Sequence, residues 1–147
     1  MAGQVGPSPN SGTIPVHYDT DTIKGIGVLG PSPNNKNLFL IKYDTQGNYQ
    51  WLVEPESEAK PHPSINSMTM GMEVEPDGTI HWMTFVAGGS YLNGAVVVPD
   101  GAMQFLLMKY DQNGNLLDYF TIPADFSTFN SYNIRFHYDR LNAQYYL

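Results

Sequence analysis

The stretch Lys42-Tyr43-Asp44-Thr45-Gln46-Gly47-Asn48 decides the fold, because it returns as Lys109-Tyr110-Asp111-Gln112-Asn113-Gly114-Asn115. The first copy starts at position 42 and the second at position 109. An apolar run precedes each copy, over residues 38–41 and 105–108. Self-similarity at a fixed spacing is the signature of a protein built from repeated supersecondary units.

Two shorter matches indicate the same repeat. Ser11-Gly12-Thr13-Ile14 is matched by Asp77-Gly78-Thr79-Ile80, and Asn66-Ser67 is matched by Asn130-Ser131, at nearly the same spacing as the long motif. Three matches in one order and at nearly one spacing predict a single all-β domain over residues 1–147. Its repeat units are predicted at about 1–63, 64–127 and, incompletely, 128–147.

Each unit is predicted to contain four antiparallel strands, which in the central copy lie near residues 67–75, 79–86, 103–110 and 116–122. The turn Glu75-Pro76-Asp77-Gly78 joins the first two, because proline presets φ and glycine supplies the left-handed position. Asn113-Gly114 between apolar runs indicates the hairpin that joins the last two. The glycine-rich segment 88–101 is interpreted as a long loop between the middle strands.

The third strand of each unit indicates how the units pack. Residues 38–41 and 105–108 are all apolar, so the alternation of a half-exposed strand is lost and both faces are predicted to be buried. Sheets covered on both faces and repeated along a chain are typical of β-propeller blades. The sequence therefore predicts an all-β fold of propeller-like blades, with a β-sandwich or barrel as the alternative.

The same residues carry a family resemblance. Over about residues 9–147, the order of Asp-Gly-Thr-Ile, a glycine-rich segment and Phe-Leu-x-Lys-Tyr-Asp-x-x-Gly-Asn resembles the bacterial SBBP-type β-propeller repeat. The resemblance implies a blade-like fold and a place in a long secreted or surface protein, and it supplies no catalytic residues. About two and a quarter units are expected here, against the roughly four to eight blades of a closed ring.

Charge and composition exclude several classes of function. The formal net charge is −7, with 7 Lys and Arg among 147 residues, so the basic stripe of a nucleic-acid-binding protein is missing. No apolar run of about 18 residues is present, so membrane insertion is not predicted. The N-terminus of this chain does not read as a signal peptide. Without Cys or paired His, we expect no metal and no cofactor.

The candidate catalytic groups also fit structural roles. Asp111-x-Asn113-x-Asn115 has the spacing that opens a calcium loop, but Ile122 stands where that loop needs a Glu, so a turn is favoured. Glu73, Glu75 and Asp77 could form a carboxylate cluster, yet Asp77 fits a turn residue. The histidines show no ligand spacing and are interpreted as structural or surface residues: His17, His62, His81 and His137. The sequence predicts no enzyme.

Aromatic residues give the one binding hypothesis. Sugar sites combine an aromatic face with polar partners, and Tyr91 with Asn93 lies in the segment interpreted as a loop. We therefore expect Tyr91 to be exposed and to be the better candidate for binding glycans. Trp51 and Trp82 are interpreted as core residues between units.

The incomplete terminal units predict assembly. Unfinished sheets expose backbone groups and apolar faces, which favours self-association or pairing with other proteins. The residues expected at this edge are Thr13, Val16, Tyr18, Tyr132, Ile134, Phe136, Tyr145 and Tyr146. The leading hypothesis is a non-enzymatic structural or adhesive module of an extracellular or cell-surface assembly. The alternatives are a carbohydrate-binding module and a virion structural protein (coat, decoration or fibre).

Overall fold

The computed structural model describes residues 2–5, 16–17, 25–26, 37–59, 67–122 and 134–147. These ranges form an all-β structure, as predicted, with a single 3₁₀ turn at Leu92–Gly94 and no α-helix. The described strands are β1 (Ala2–Val5), β2 (Val16–His17), β3 (Gly25–Ile26), β4 (Asn37–Tyr43), β5 (Tyr49–Val53), β6 (Glu56–Ala59), β7 (Met68–Val74), β8 (Ile80–Tyr91), β9 (Val96–Tyr110), β10 (Leu116–Ile122), β11 (His137–Asp139) and β12 (Gln144–Tyr146).

The central sheet is an antiparallel meander of β7, β8, β9 and β10 in chain order. Its four strands lie where the sequence predicts the four strands of the central unit. β8 is longer than β7. The first half of β8 pairs with β7, and its second half pairs with β6. The sheet therefore has five strands, with β10 at one edge.

The glycine-rich segment 88–101 is not a loop, and that part of the prediction is wrong. β8 and β9 continue as a hairpin, with Tyr91 opposite Val96, up to the 3₁₀ turn. Valines alternate between buried and exposed along this arm: Val96 and Val98 are buried, whereas Val97 is 63% exposed. Gly88 permits a close crossing, since a Cβ there would lie 3.0 Å from the Pro99 carbonyl oxygen. Glycine in this segment thus serves strand packing instead of loop formation.

A first sheet contains β1, β4 and β5, with β4 in the middle. The two apolar runs therefore form middle strands of antiparallel sheets, as predicted, in β4 and in β9. The hairpins β4–β5 and β9–β10 share one register. Lys42 lies opposite Trp51 in the first hairpin, and Lys109 lies opposite Asp118 in the second.

The strand that precedes β4 in this sheet differs from the prediction. The sequence places it near Thr13 and Tyr18, which lie outside the described residues, but Ala2–Val5 occupies the position beside β4. Val16 pairs instead with Ile26, in the separate β2–β3 ladder. The short match at residues 11–14 lies outside the described part of the chain, and it did not predict which sheet Val16 joins.

The central sheet is covered on both faces, as its apolar runs predict. On one face, Trp82, Leu106 and Met108 pack with Leu38 and Leu40 of the first sheet. On the other face, the buried side chains meet residues of the C-terminal segment: Met83, Phe85, Phe105 and Leu107 against Ile134, Phe136 and Tyr145. Burial of large apolar side chains at about 1.5–3 kcal/mol each makes these two interfaces the main stabilising contacts.

The C-terminal hairpin, β11 and β12, is tied to the chain's own central sheet. A Cβ on Gly71 would lie 2.8 Å from the Phe136 Cβ, so glycine allows this close approach. Ile134, Phe136 and Tyr145 are partly buried against the central sheet, and their part in an assembly edge stays a prediction. Tyr146 is 51% exposed, and Tyr132 lies outside the described residues.

Candidate interaction surface

Three turns hold an aspartate in the same role. The Asp111 carboxylate accepts hydrogen bonds from the backbone N–H groups of Asn113 and Asn115, at 2.8 and 2.9 Å, and from the Asn115 side-chain amide. Asp44 makes the same contacts in its own turn, and Asp139 accepts similar ones from N–H groups two and three positions further on. The side-chain hydrogen bond from asparagine and the N–H donors lower the pKa of all three carboxyls. Asp111 is therefore a turn-forming residue, as interpreted from the sequence.

Glu73 joins the central sheet to the C-terminal hairpin. Its Oε1 accepts hydrogen bonds from the His137 ring Nδ1 and the Tyr138 backbone N–H, both at 2.8 Å. Burial opposes ionisation, but these two donors prevail and lower the pKa of Glu73. The carboxylate considered as a catalytic candidate is thus part of a packing contact.

His81 is fully buried and makes a second tie to the same hairpin. Its Nε2 lies 2.7 Å from Glu75 Oε1, and its Nδ1 lies 2.8 Å from the Tyr145 hydroxyl. In the tautomer of His81 that carries its proton on Nε2, Nε2–H donates to the Glu75 carboxyl and Nδ1 accepts from the Tyr145 O–H. The ring also stacks on Tyr138 at 4.0 Å. Burial, together with the nearby Tyr138 and Glu75, raises the pKa of Tyr145 to about 12.

These contacts leave His81 no access to a substrate, so its structural interpretation agrees with the geometry. His137 is largely exposed and paired with Glu73. The side chain of His17, and all of His62, lie outside the described part of the chain. Where side chains are described, no three His, Asp or Glu residues lie close enough together to hold a metal ion.

The expectation that Tyr91 is exposed is wrong. Its ring is 1% exposed, its hydroxyl donates to the Ala87 carbonyl oxygen at 2.7 Å, and the hydroxyl lies 2.8 Å from Ser67 Oγ. Asn93 is exposed at the tip of the β8–β9 hairpin, with φ of 55°. It lines a cleft of about 230 Å³ between the first and central sheets, with Glu54 and Leu116. Tyr91 and Asn93 therefore do not form one surface.

The two tryptophans pack at the contact between the sheets, as interpreted. Trp82 is fully buried. Trp51 lies over Gly114, where a Cβ would be 3.0 Å from the indole ring. Its Nε1–H donates to the Gln112 carbonyl oxygen at 3.0 Å, and Lys42 Nζ donates to the same oxygen at 2.7 Å. The first sheet thus binds the turn that the repeated motif forms in the central sheet.

Several exposed apolar side chains of the central sheet lie on β10, where sequence reasoning placed no assembly edge. β10 pairs with β9 and with no other described strand. Four of its large side chains are between 37% and 55% exposed, and we call them the β10 surface: Leu116, Leu117, Tyr119 and Phe120. Tyr119 lies opposite Met108 and Phe120 lies opposite Leu107, so these two rings lie on opposite faces of the strand. The available signal was the run Leu-Leu-Asp-Tyr-Phe at the last position of a meander, where a strand has one unpaired edge.

Comparison with known proteins gives one similarity. The chain is 27% identical over 105 residues to an uncharacterized WD repeat-containing protein of Acanthamoeba polyphaga mimivirus. The match covers 69% of this chain and 7% of that protein, so the chain spans a small part of the relative's length. No family model matches the sequence, and no solved structure matches it significantly. WD repeats form propeller blades, so the similarity favours a propeller-like β-repeat, without support for the bacterial SBBP type in particular.

Within the described ranges, the chain forms no helix with the length and apolarity that crossing a bilayer requires.

Proposed function

We propose that this chain is a non-enzymatic β-repeat module that binds other proteins through the β10 surface. The observation that carries the proposal is the exposure of Leu116, Leu117, Tyr119 and Phe120 on one edge strand. Exposed apolar side chains on an unpaired edge favour contact with another polypeptide, which can add backbone hydrogen bonds as well as side-chain packing.

Other ligand classes have less support. The net charge of −7 disfavours nucleic acids and anionic membranes. Carbohydrate binding rested on an exposed Tyr91, and that ring is buried. The ionisable groups considered as catalysts bond to their own turns or to the C-terminal hairpin, which supports a non-enzymatic role.

The setting is also a proposal. We place the module in an extracellular or cell-surface assembly, where its role is structural or adhesive, on the strength of the sequence resemblance to secreted β-repeats. A virion is the alternative setting, and the similarity to a protein of a virus supports it.

Site-specific photo-cross-linking tests the proposed function. A photoreactive amino acid is placed at position 117 or, as a control, at position 141, because Leu141 is an apolar residue that is 95% exposed outside the β10 surface. In the cells that express the chain, we expect protein adducts from position 117 and not from position 141. Equal labelling from both positions, or none from position 117, would contradict the proposal.

A further inference from the structure

We propose that the partner is a second copy of the chain, whose β4–β5 turn docks on the face of β9 and β10 that carries Lys109, Asp118 and, from the β10 surface, Phe120. This inference rests on the proposed function and names its partner. Within one chain, Lys42 and Trp51 of the first sheet already donate hydrogen bonds to the Asp111–Asn115 turn of the central sheet, and Trp51 covers that turn.

The positions of the two donors, Lys42 and Trp51, have equivalents one repeat unit later in the chain. In the alignment of the two copies of the motif, Lys109 stands for Lys42, Asp118 for Trp51 and Phe120 for Val53. The pairing is retained: Lys42 lies opposite Trp51 and Lys109 opposite Asp118, whereas Val53 and Phe120 lie opposite Leu40 and Leu107. The two hairpins therefore present the same positions on the same face.

These positions are packed against another sheet in the first hairpin but are exposed to solvent in the second. Val53 and Trp51 pack against the core between the first and central sheets. Phe120 is 46% exposed, and Asp118 is exposed as well. The C-terminal hairpin contacts this face at Gly71, Glu73 and His81, and its Tyr145 lies near Asp118, yet the side chains of Asp118 and Phe120 on β10 remain exposed.

The turn that accepts these hydrogen bonds also has an equivalent, in the first sheet. The Asp44–Asn48 turn repeats the hydrogen bonds of the Asp111–Asn115 turn, donor by donor. Gly114 is covered by Trp51, but a Cβ on Gly47 would meet no atom of the described residues within 4 Å. Thr45 stands where Gln112 stands, so its carbonyl is placed as the acceptor for Lys109 of another copy.

One chain therefore carries both halves of a contact, on different sheets. Because the two halves are different surfaces, the association is head-to-tail, and it produces rings or filaments in place of closed twofold dimers. Asp118 stands in place of Trp51, so the apolar part of the contact comes from Phe120. The docking turn of the second copy contains Gly47, which has no side chain and leaves room for the Phe120 ring.

Disulfide trapping tests the geometry, because the chain has no Cys of its own. The chain with Asp118→Cys is mixed with the chain with Thr45→Cys under mild oxidation, and Leu141→Cys replaces Thr45→Cys in the control. We expect a heterodimer between positions 118 and 45 to form faster than one between positions 118 and 141. Equal rates would overturn the proposal.

Sedimentation of the cysteine-free chain gives the second measurement. We expect its mean mass to rise with concentration from the micromolar range upward, and Phe120→Glu to weaken association by about tenfold or more, because the contact would bury the new charge. Leu141→Glu is the matched control and should not change it. A monomer at every concentration overturns this inference, whereas adducts to an unrelated protein from position 117 would still support the proposed function.

Discussion

At the residue scale, side chains about one repeat apart hold the units together. His81 and Tyr145 are 64 positions apart, and their hydrogen bond crosses from the central sheet to the C-terminal hairpin. The contact joins a fully buried imidazole to a ring that is only partly buried. Such a bond is costly to lose, because it leaves a buried nitrogen without a partner.

We therefore expect Tyr145→Phe to lower the free energy of unfolding by about 1–3 kcal/mol, since it removes the hydroxyl and keeps the ring. Tyr146→Phe is the matched control, because that hydroxyl bonds to Gln144 Oε1 on the exposed face of the hairpin. Urea unfolding of the two variants measures the difference. Equal losses would mean that the Tyr145 hydroxyl does not bond to His81.

Sequence reasoning succeeds at this scale when the partners are local. The role of Asp111 was predictable because its carboxylate serves N–H groups two and four positions further along the chain. The burial of Tyr91 was not, because one of its two hydroxyl partners, Ser67, lies 24 positions earlier in the chain. Nor does any spacing show that Glu75 and Tyr145 would enclose His81.

At the element scale, the repeated motif predicts the strands that flank it. β4–β5 and β9–β10 were predictable because apolar runs and Asp-x-x-Gly-Asn turns determine strand, turn and register together. The β8–β9 arm was misread because glycines at positions 88, 89, 94 and 101 flank its three consecutive valines, residues 96–98. The position of β1 was not predictable, since its pairing with β4 joins segments that lie far apart in the sequence, with Ala2 opposite Leu40.

The two motif glycines provide a test of how the first and central sheets meet. Both have a positive φ, +87° at Gly47 and +83° at Gly114, so alanine at either position costs about 1 kcal/mol in backbone strain. Only Gly114→Ala also forces a methyl group against Trp51, which adds about 1–3 kcal/mol. We expect Gly114→Ala to be the more destabilising variant in urea unfolding at low protein concentration. A smaller loss for Gly114→Ala than for Gly47→Ala would show that Trp51 does not lie over that turn.

At the scale of the whole molecule, the central sheet is the layer that both other parts require. Its residues alternate between the two interfaces: Trp82 and Met108 face the first sheet, whereas Met83 and Phe85 face the C-terminal hairpin. Because neighbouring residues of β8 serve opposite faces, loss of one interface removes the support of the other. We therefore expect a single cooperative unfolding transition for the described layers.

Two methionines test this coupling, since Met83 and Met108 are both fully buried on opposite faces. Each change to alanine removes buried apolar atoms and leaves a cavity, so each should cost about 2–5 kcal/mol. Fluorescence from Trp51 and Trp82 reports on the first-sheet side. If the layers unfold together, Met83→Ala lowers the midpoint of unfolding measured by tryptophan fluorescence, although Met83 packs on the other face. Leu141→Ala is the control and leaves this midpoint unchanged, because Leu141 is exposed. An unshifted tryptophan midpoint in Met83→Ala, with earlier loss of amide protection in residues 137–146, would mean that the C-terminal hairpin unfolds on its own.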